Sequence, residues 1–331
     1  MKSIKILTSV FLLSSSLIFA ADDVPEPSSE NDLFNEDLTA FEQNYYDFPT
    51  ISSESLEVTP NITLPARKKS TFIAVGLSAL IPGLGHTYLG DLKTAGSLFG
   101  SSGAAHTLNI LSDSNEPLRI SSFVAAQNLS FYGIYAAYRD THLYNNDIKN
   151  IPIDSFADLS TAPFNFKILK KPEVWGGFIG AISLAAIISK VAYKSASHVR
   201  CDISSNEIMP LAALPIGIGE EAFFRGFIQS SFYDALPPWG AITASSLIFG
   251  LTHIPNAVLL DEKDRWRYYS FSLPFITTLG AYFGFLAYKN NSLKESVALH
   301  TWYDFTLFLI DALVVQSSIK WKKEFSFSFD F

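Results

Sequence analysis

The sequence is poor in charge. Asp, Glu, Lys and Arg make up 17% of its 331 residues, against roughly 25% in an average soluble protein. It has one cysteine, Cys201, which excludes an intramolecular disulfide and a cysteine-based zinc site. As a lone thiol it reads as a small structural residue. No basic stripe is present, so a nucleic-acid partner is not expected. Between Ala21 and Ala66 there is no Lys or Arg, yet that stretch holds eleven carboxylates. Without it the net charge of −8 becomes +3, so the acidity belongs to one segment. The motif His-Glu-x-x-His is also absent. Any metal site would have to be assembled from residues distant in the chain.

What is abundant is apolar. Hydrophobic residues reach 48% and aromatic residues 14%, with 28 Phe. They are clumped into runs close to the about 20 residues that cross a hydrocarbon core of about 30 Å. The expected fold is all-α, a polytopic transmembrane helical bundle of about eight spans. These lie near 71–89, 94–112, 121–138, 174–193, 207–228, 238–260, 269–288 and 295–316. The N-terminus, with Lys2 and Lys5 before an apolar stretch and small residues at Ala20 and Ala21, has the layout of a signal peptide.

The expected domain order is a signal peptide over 1–21 and an acidic tail over 22–69. The tail is rich in Ser and Pro and too polar to bury a core. A Gly-rich hairpin and third span follow over 70–140, then a polar linker over 141–172. The main bundle covers 173–316, and an aromatic tail covers 317–331. That tail ends FSFSFDF, with strand-like alternation. The hairpin runs IPGLGHTYLGDLKTAG, where small residues favour close helix packing and His86 reads as a polar interfacial residue. Orientation cues conflict. Flanking basic residues favour a cytoplasmic segment before the first span, whereas a cleaved signal peptide places that segment outside.

Chemistry is concentrated in three apolar stretches. The first reads IMPLAALPIGIGEEAFFRGFIQSSF. A charge at the centre of a spanning helix costs on the order of 3 kcal/mol, so Glu220, Glu221 and Arg225 need partners or water. Glu221 and Arg225 are i,i+4 and share a helix face. Glu220 lies about 100° round the helix and points elsewhere, as a general base in a polar cavity would. The second stretch places His253 deep in a span, four residues after Phe249. In the third, His300 and Asp304 are i,i+4, so the carboxylate could orient the imidazole or both could bind one metal. Intramembrane ionisable groups face one another or a water-filled cavity. A Glu, two His and an Asp can activate water. They do not by themselves separate proteolysis from proton-coupled transport or a scaffold role.

The ordered triplet Glu-Glu-x-x-x-Arg, Phe-x-x-x-His and His-x-x-x-Asp, with GAYFG before the last span, resembles the CPBP family. That family includes type II CAAX prenyl endopeptidases and the bacterial Abi and bacteriocin-immunity proteins. The resemblance covers about residues 207–316. It implies a glutamate-dependent intramembrane endopeptidase in the cell (inner) membrane, acting on a membrane-embedded or lipid-anchored peptide. Carried over by motif, Glu220 would activate water with His253, while His300 and Asp304 would stabilise the oxyanion. Glu221 and Arg225 would shape the site. Well-understood members carry Asn where this chain has Asp304, and an ionised Asp cannot donate a hydrogen bond to an oxyanion. Asp304 is therefore protonated, orients His300, or ligates a metal. No cofactor is expected. The alternative is Zn²⁺ held by Glu220, His253, His300 and Asp304 with an open position.

Overall fold

The computed structural model describes residues 67–112, 114–193, 209–260 and 262–326. The expected signal peptide, most of the acidic tail, Cys201 and the last five residues lie outside them. Every described element is helical.

The first expected span is broken. Helix α1, Thr71–Leu80, has ten residues and is about 15 Å long. The chain then turns at Pro82–Gly83 into α2, Leu84–Leu89. Proline cannot continue the hydrogen-bond ladder. Gly83 has φ 94°, and a Cβ there would collide with the Ala95 backbone, so a side chain would not be tolerated. Asp91 caps α3, Leu92–Leu111, by accepting from Thr94 N at 3.0 Å. Helix α4, Glu116–Asn145, follows an Asn115 cap with Pro in its first turn and packs along both α1 and α3.

The polar stretch after α4 is folded. A Ser155/Asp158 capping box starts α5, Phe156–Thr161. A 3₁₀ turn and the short α6, Phe166–Leu169, lead into α7, Pro172–Tyr193. Tyr135 Oη of α4 donates to the Pro152 carbonyl at 2.8 Å, and Arg139 Nη1 donates to the Asp154 carbonyl at 2.5 Å. Asp154 in turn accepts from Leu293 N at 2.7 Å. These bonds join the N-terminal helices to the start of the last helix.

Helix α8, Met209–Glu221, is the hub. It packs against α4 and against α12, Lys294–Ser326. Glycines allow the approach: a Cβ at Gly219 would strike Asn128 of α4, and one at Gly217 would strike Thr301 of α12. Directly after Glu221 the helix loosens into a π-helical stretch, Ala222–Gln229, and closes with a turn over Ser230–Phe232. Helix α9, Pro238–Thr252, leads through a 3₁₀ turn, Ile254–Leu259, to α10, Glu262–Arg267. A π-helical Tyr268–Ser272 joins that to α11, Leu273–Asn290. Helices α9 and α11 pack together and enclose the π-helical stretch.

Three helical segments among the described residues are long and apolar enough to cross a membrane: Pro172–Tyr193, Pro238–Val258 and Glu262–Asn290. Trp175, Ile179, Ile187 and Val191 of α7 are more than half exposed. Such an apolar face is stable in hydrocarbon and costly in water. Helix α12 continues through Ser326, and the rest of the alternating FSFSFDF tail lies outside the described residues.

Candidate active site

Pro215 lies within α8, and its missing N–H interrupts the ladder just before the charged pair. Glu221 is completely buried and Arg225 is 1% exposed. They meet as the i,i+4 spacing requires, Arg225 Nη1 donating to Glu221 Oε1 at 3.0 Å. The second arm of the guanidinium, Nη2, donates to the Gly280 carbonyl of α11 at 3.0 Å. Its plane lies 4.3 Å from the Phe249 ring centroid and 5.4 Å from that of Phe283. A buried arginine is thus paired, hydrogen-bonded and stacked on aromatic faces, where a desolvated cation–π contact is worth about 2 kcal/mol.

The same Glu221 oxygen accepts a second bond, from His300 Nδ1 of α12 at 2.8 Å. The imidazole is further fixed by Phe283, stacked at 4.8 Å and 21°, and by the edge of Phe249 at 6.3 Å. With Nδ1 held, Nε2 faces outward to Asp304 Oδ2 at 3.4 Å and Glu220 Oε2 at 3.8 Å. Glu220 keeps 20% of its side chain exposed and Asp304 16%, against none for Glu221. The two adjacent glutamates therefore differ in environment. Glu221 is a buried anchor, and Glu220 lines the accessible side of the imidazole.

His253 departs from expectation. The α-helical part of α9 ends at Thr252, and His253 is its C-cap rather than a residue deep in the span. Pro255 accounts for this, since it lacks an N–H and disfavours helical backbone before it. The ring is only partly buried. Its Nδ1 lies 2.8 Å from the Phe249 carbonyl. A carbonyl can only accept, so the proton is on Nδ1 and Nε2 is left as an acceptor. Phe249 sits between the two histidines, 4.6 Å from the ring of His253.

Glu221 holds His300 at Nδ1, while Asp304, from its i,i+4 position, faces Nε2 together with Glu220. No spacing rule could show the Glu221–His300 bond, which joins two helices across 79 positions of sequence. Phe283, which lies within the GAYFG motif, and Gln229 are further residues of the site that helix spacing alone does not pick out. Glu220, His300 and Asp304 face one another, but among the described residues no group of three or more His, Cys, Asp or Glu side chains is placed so that it could hold a metal ion. His86 is fully buried in the protein, its Nε2 3.1 Å from Asp140 Oδ2. It belongs to a separate cluster with Arg139, whose Nε contacts Asp140 Oδ1 at 2.7 Å.

Residues 206–306 match the model of the Rce1-like family, described as type II CAAX prenyl endopeptidase Rce1-like. The matched segment contains Glu220, Glu221, Arg225, His253, His300 and Asp304, and it supports the family resemblance carried by the three motifs. No curated protein and no solved structure matches the chain.

Proposed function

We propose that this chain is an intramembrane endopeptidase that hydrolyses a peptide bond of a membrane-embedded or lipid-anchored substrate. The observation that carries the reading is the placement of His300. One nitrogen is locked by Glu221, and the other is presented to Glu220 and Asp304 at the accessible edge of a buried site. The match to an endopeptidase family over the same residues agrees with it.

In this mechanism Glu220 is the general base. Its carboxylate takes one proton from a water molecule, and the water oxygen bonds to the scissile carbonyl carbon. The lone pair at His253 Nε2 helps orient that water. Carboxylates face both nitrogens of His300, so each nitrogen can carry a proton and donate it. Nε2–H is directed at the oxyanion that forms on the carbonyl oxygen, and donors aimed at developing charge are a major catalytic contribution. Asp304 acts through His300, holding Nε2–H in line until the substrate carbonyl replaces it. Glu220 then passes its proton to the amide nitrogen, the C–N bond breaks, and a carboxylic acid and an amine are released. Glu221 and Arg225 do not touch the reacting atoms. They position His300. No step requires a metal.

The test is cleavage of a membrane-proximal reporter peptide by the purified full chain in lipid, with Glu220→Gln as the variant. Normal cleavage by that variant would refute Glu220 as the base.

A further inference from the structure

One face of the α8 continuation carries a row of buried polar residues with atoms that the mechanism does not use. Glu221, Arg225 and Gln229 follow one another at i,i+4 spacing. All three are buried, and each keeps one polar atom without a protein partner: Glu221 Oε2, Arg225 Nε and Gln229 Oε1. Leaving such an atom dry costs about 1–3 kcal/mol, so three in succession along one face call for water. At the outer end of the row is a cavity of about 50 Å³, lined by Arg225, Gln229, Ser230 and Tyr233 from this element. Asn150 and Asn291, from two exposed loops, complete its mouth. At about 10–15 Å³ per molecule it holds about three or four waters. Gln229 is fixed across it, Nε2 donating to the Gly284 carbonyl at 3.0 Å and to Tyr233 Oη at 2.7 Å. That leaves Oε1 as the free acceptor on the wall.

We infer that this cavity is a water inlet, through which water enters between the Asn150 and Asn291 loops and passes along Gln229 and Arg225 toward the Glu221–His300 site. Its purpose rests on the hydrolase reading above, since each turnover consumes one water molecule. Its existence does not. The row supplies acceptor, donor and acceptor in sequence, about one helical turn apart, a step that bridging water can span. Gln229 is then a positioning residue for water, and its effect on hydrolysis falls on turnover rather than on substrate binding.

The inlet is tested with silver ion, a thiol probe close to water in size. The protein is the full chain in lipid with Cys201→Ala and one new cysteine. Ser230→Cys lies on the cavity wall. Ser245→Cys is equally buried, with the native hydroxyl bonded to the Phe224 carbonyl, but it does not line the cavity. Silver protection of the thiol against later alkylation is read by mass spectrometry. The Ser230→Cys thiol should be blocked at least about tenfold faster than the control, because thiol reactivity follows access. Equal rates would overturn the inlet whether or not the protein is a protease. In the cleavage assay, Gln229→Met should lower kcat with KM unchanged, and Gln229→Asn should restore part of it. An unchanged kcat in Gln229→Met, alongside rapid silver access, would show a hydrated cavity that does not feed the site. If the parent protein cleaves nothing, the hydrolase reading fails while the silver result still decides the inlet.

Discussion

Replacing Arg225 by Met separates what holds this site together from what performs its chemistry. The substitution keeps much of the apolar stem but removes the guanidinium. Glu221 would then be left completely buried with His300 as its remaining partner, and the Gly280 carbonyl would lose its donor. Removing one member of a buried ion pair costs about 3–5 kcal/mol, because the other charge is left uncompensated. In a helical unit of this size that corresponds to a fall in unfolding temperature of roughly 10 °C. Adding Glu221→Leu removes the stranded carboxylate. Paired replacement of a buried ion pair by apolar residues is often close to neutral, so the double variant should recover most of the lost stability. It should not recover activity, because His300 Nδ1 has then lost the oxygen that orients it. The assay is a double-mutant cycle by thermal unfolding in mild detergent, with cleavage measured on the same samples. Strict additivity of the two single substitutions would refute the coupling. Full activity in the stable double variant would refute the positioning role of Glu221.

Three further outcomes are expected. Asp304→Asn should keep substantial cleavage, since the amide oxygen can still accept from His300 Nε2–H, while Asp304→Leu should lose it; equal rates in the two variants would show that Asp304 does not act on His300. A strong chelator added during purification and assay should leave the cleavage rate unchanged, with metal content measured on the same protein; loss of activity restored by Zn²⁺ alone would overturn the metal-free mechanism. Asp154→Ala, which removes the acceptor for Leu293 N and Ser292 Oγ at the start of α12, should cost about 1–2 kcal/mol of stability, the scale of a lost helix cap, with little change in kcat. A stability equal to the parent protein would show that this link between the N-terminal helices and α12 carries no load.

The sequence disclosed the parts of the site that lie within one helix. Glu221 and Arg225 pair because i,i+4 residues share a face, and Glu220 stands apart because i,i+1 residues do not. Bonds between helices were not readable in this way. The link from Glu221 to His300 depends on how α8 and α12 are pressed together at Gly217. The reach of Arg225 and Gln229 to the carbonyls of Gly280 and Gly284 depends on a π-helical stretch that no periodicity announces. Proline explains two departures at the level of the fold. Pro82 splits the first expected span into α1 and α2, and Pro255 moves His253 from mid-span to a helix cap.

The central claim is that Glu220 activates water for peptide hydrolysis. Its most direct test is the single-turnover cleavage rate of a membrane-proximal reporter by the full chain in lipid, parent against Glu220→Gln, with unfolding temperatures matched. The mechanism predicts hydrolysis by the parent and a loss of about 10²-fold or more in the variant, as removal of a general base entails. Equal rates, or no hydrolysis by a folded parent across varied reporters, would contradict it.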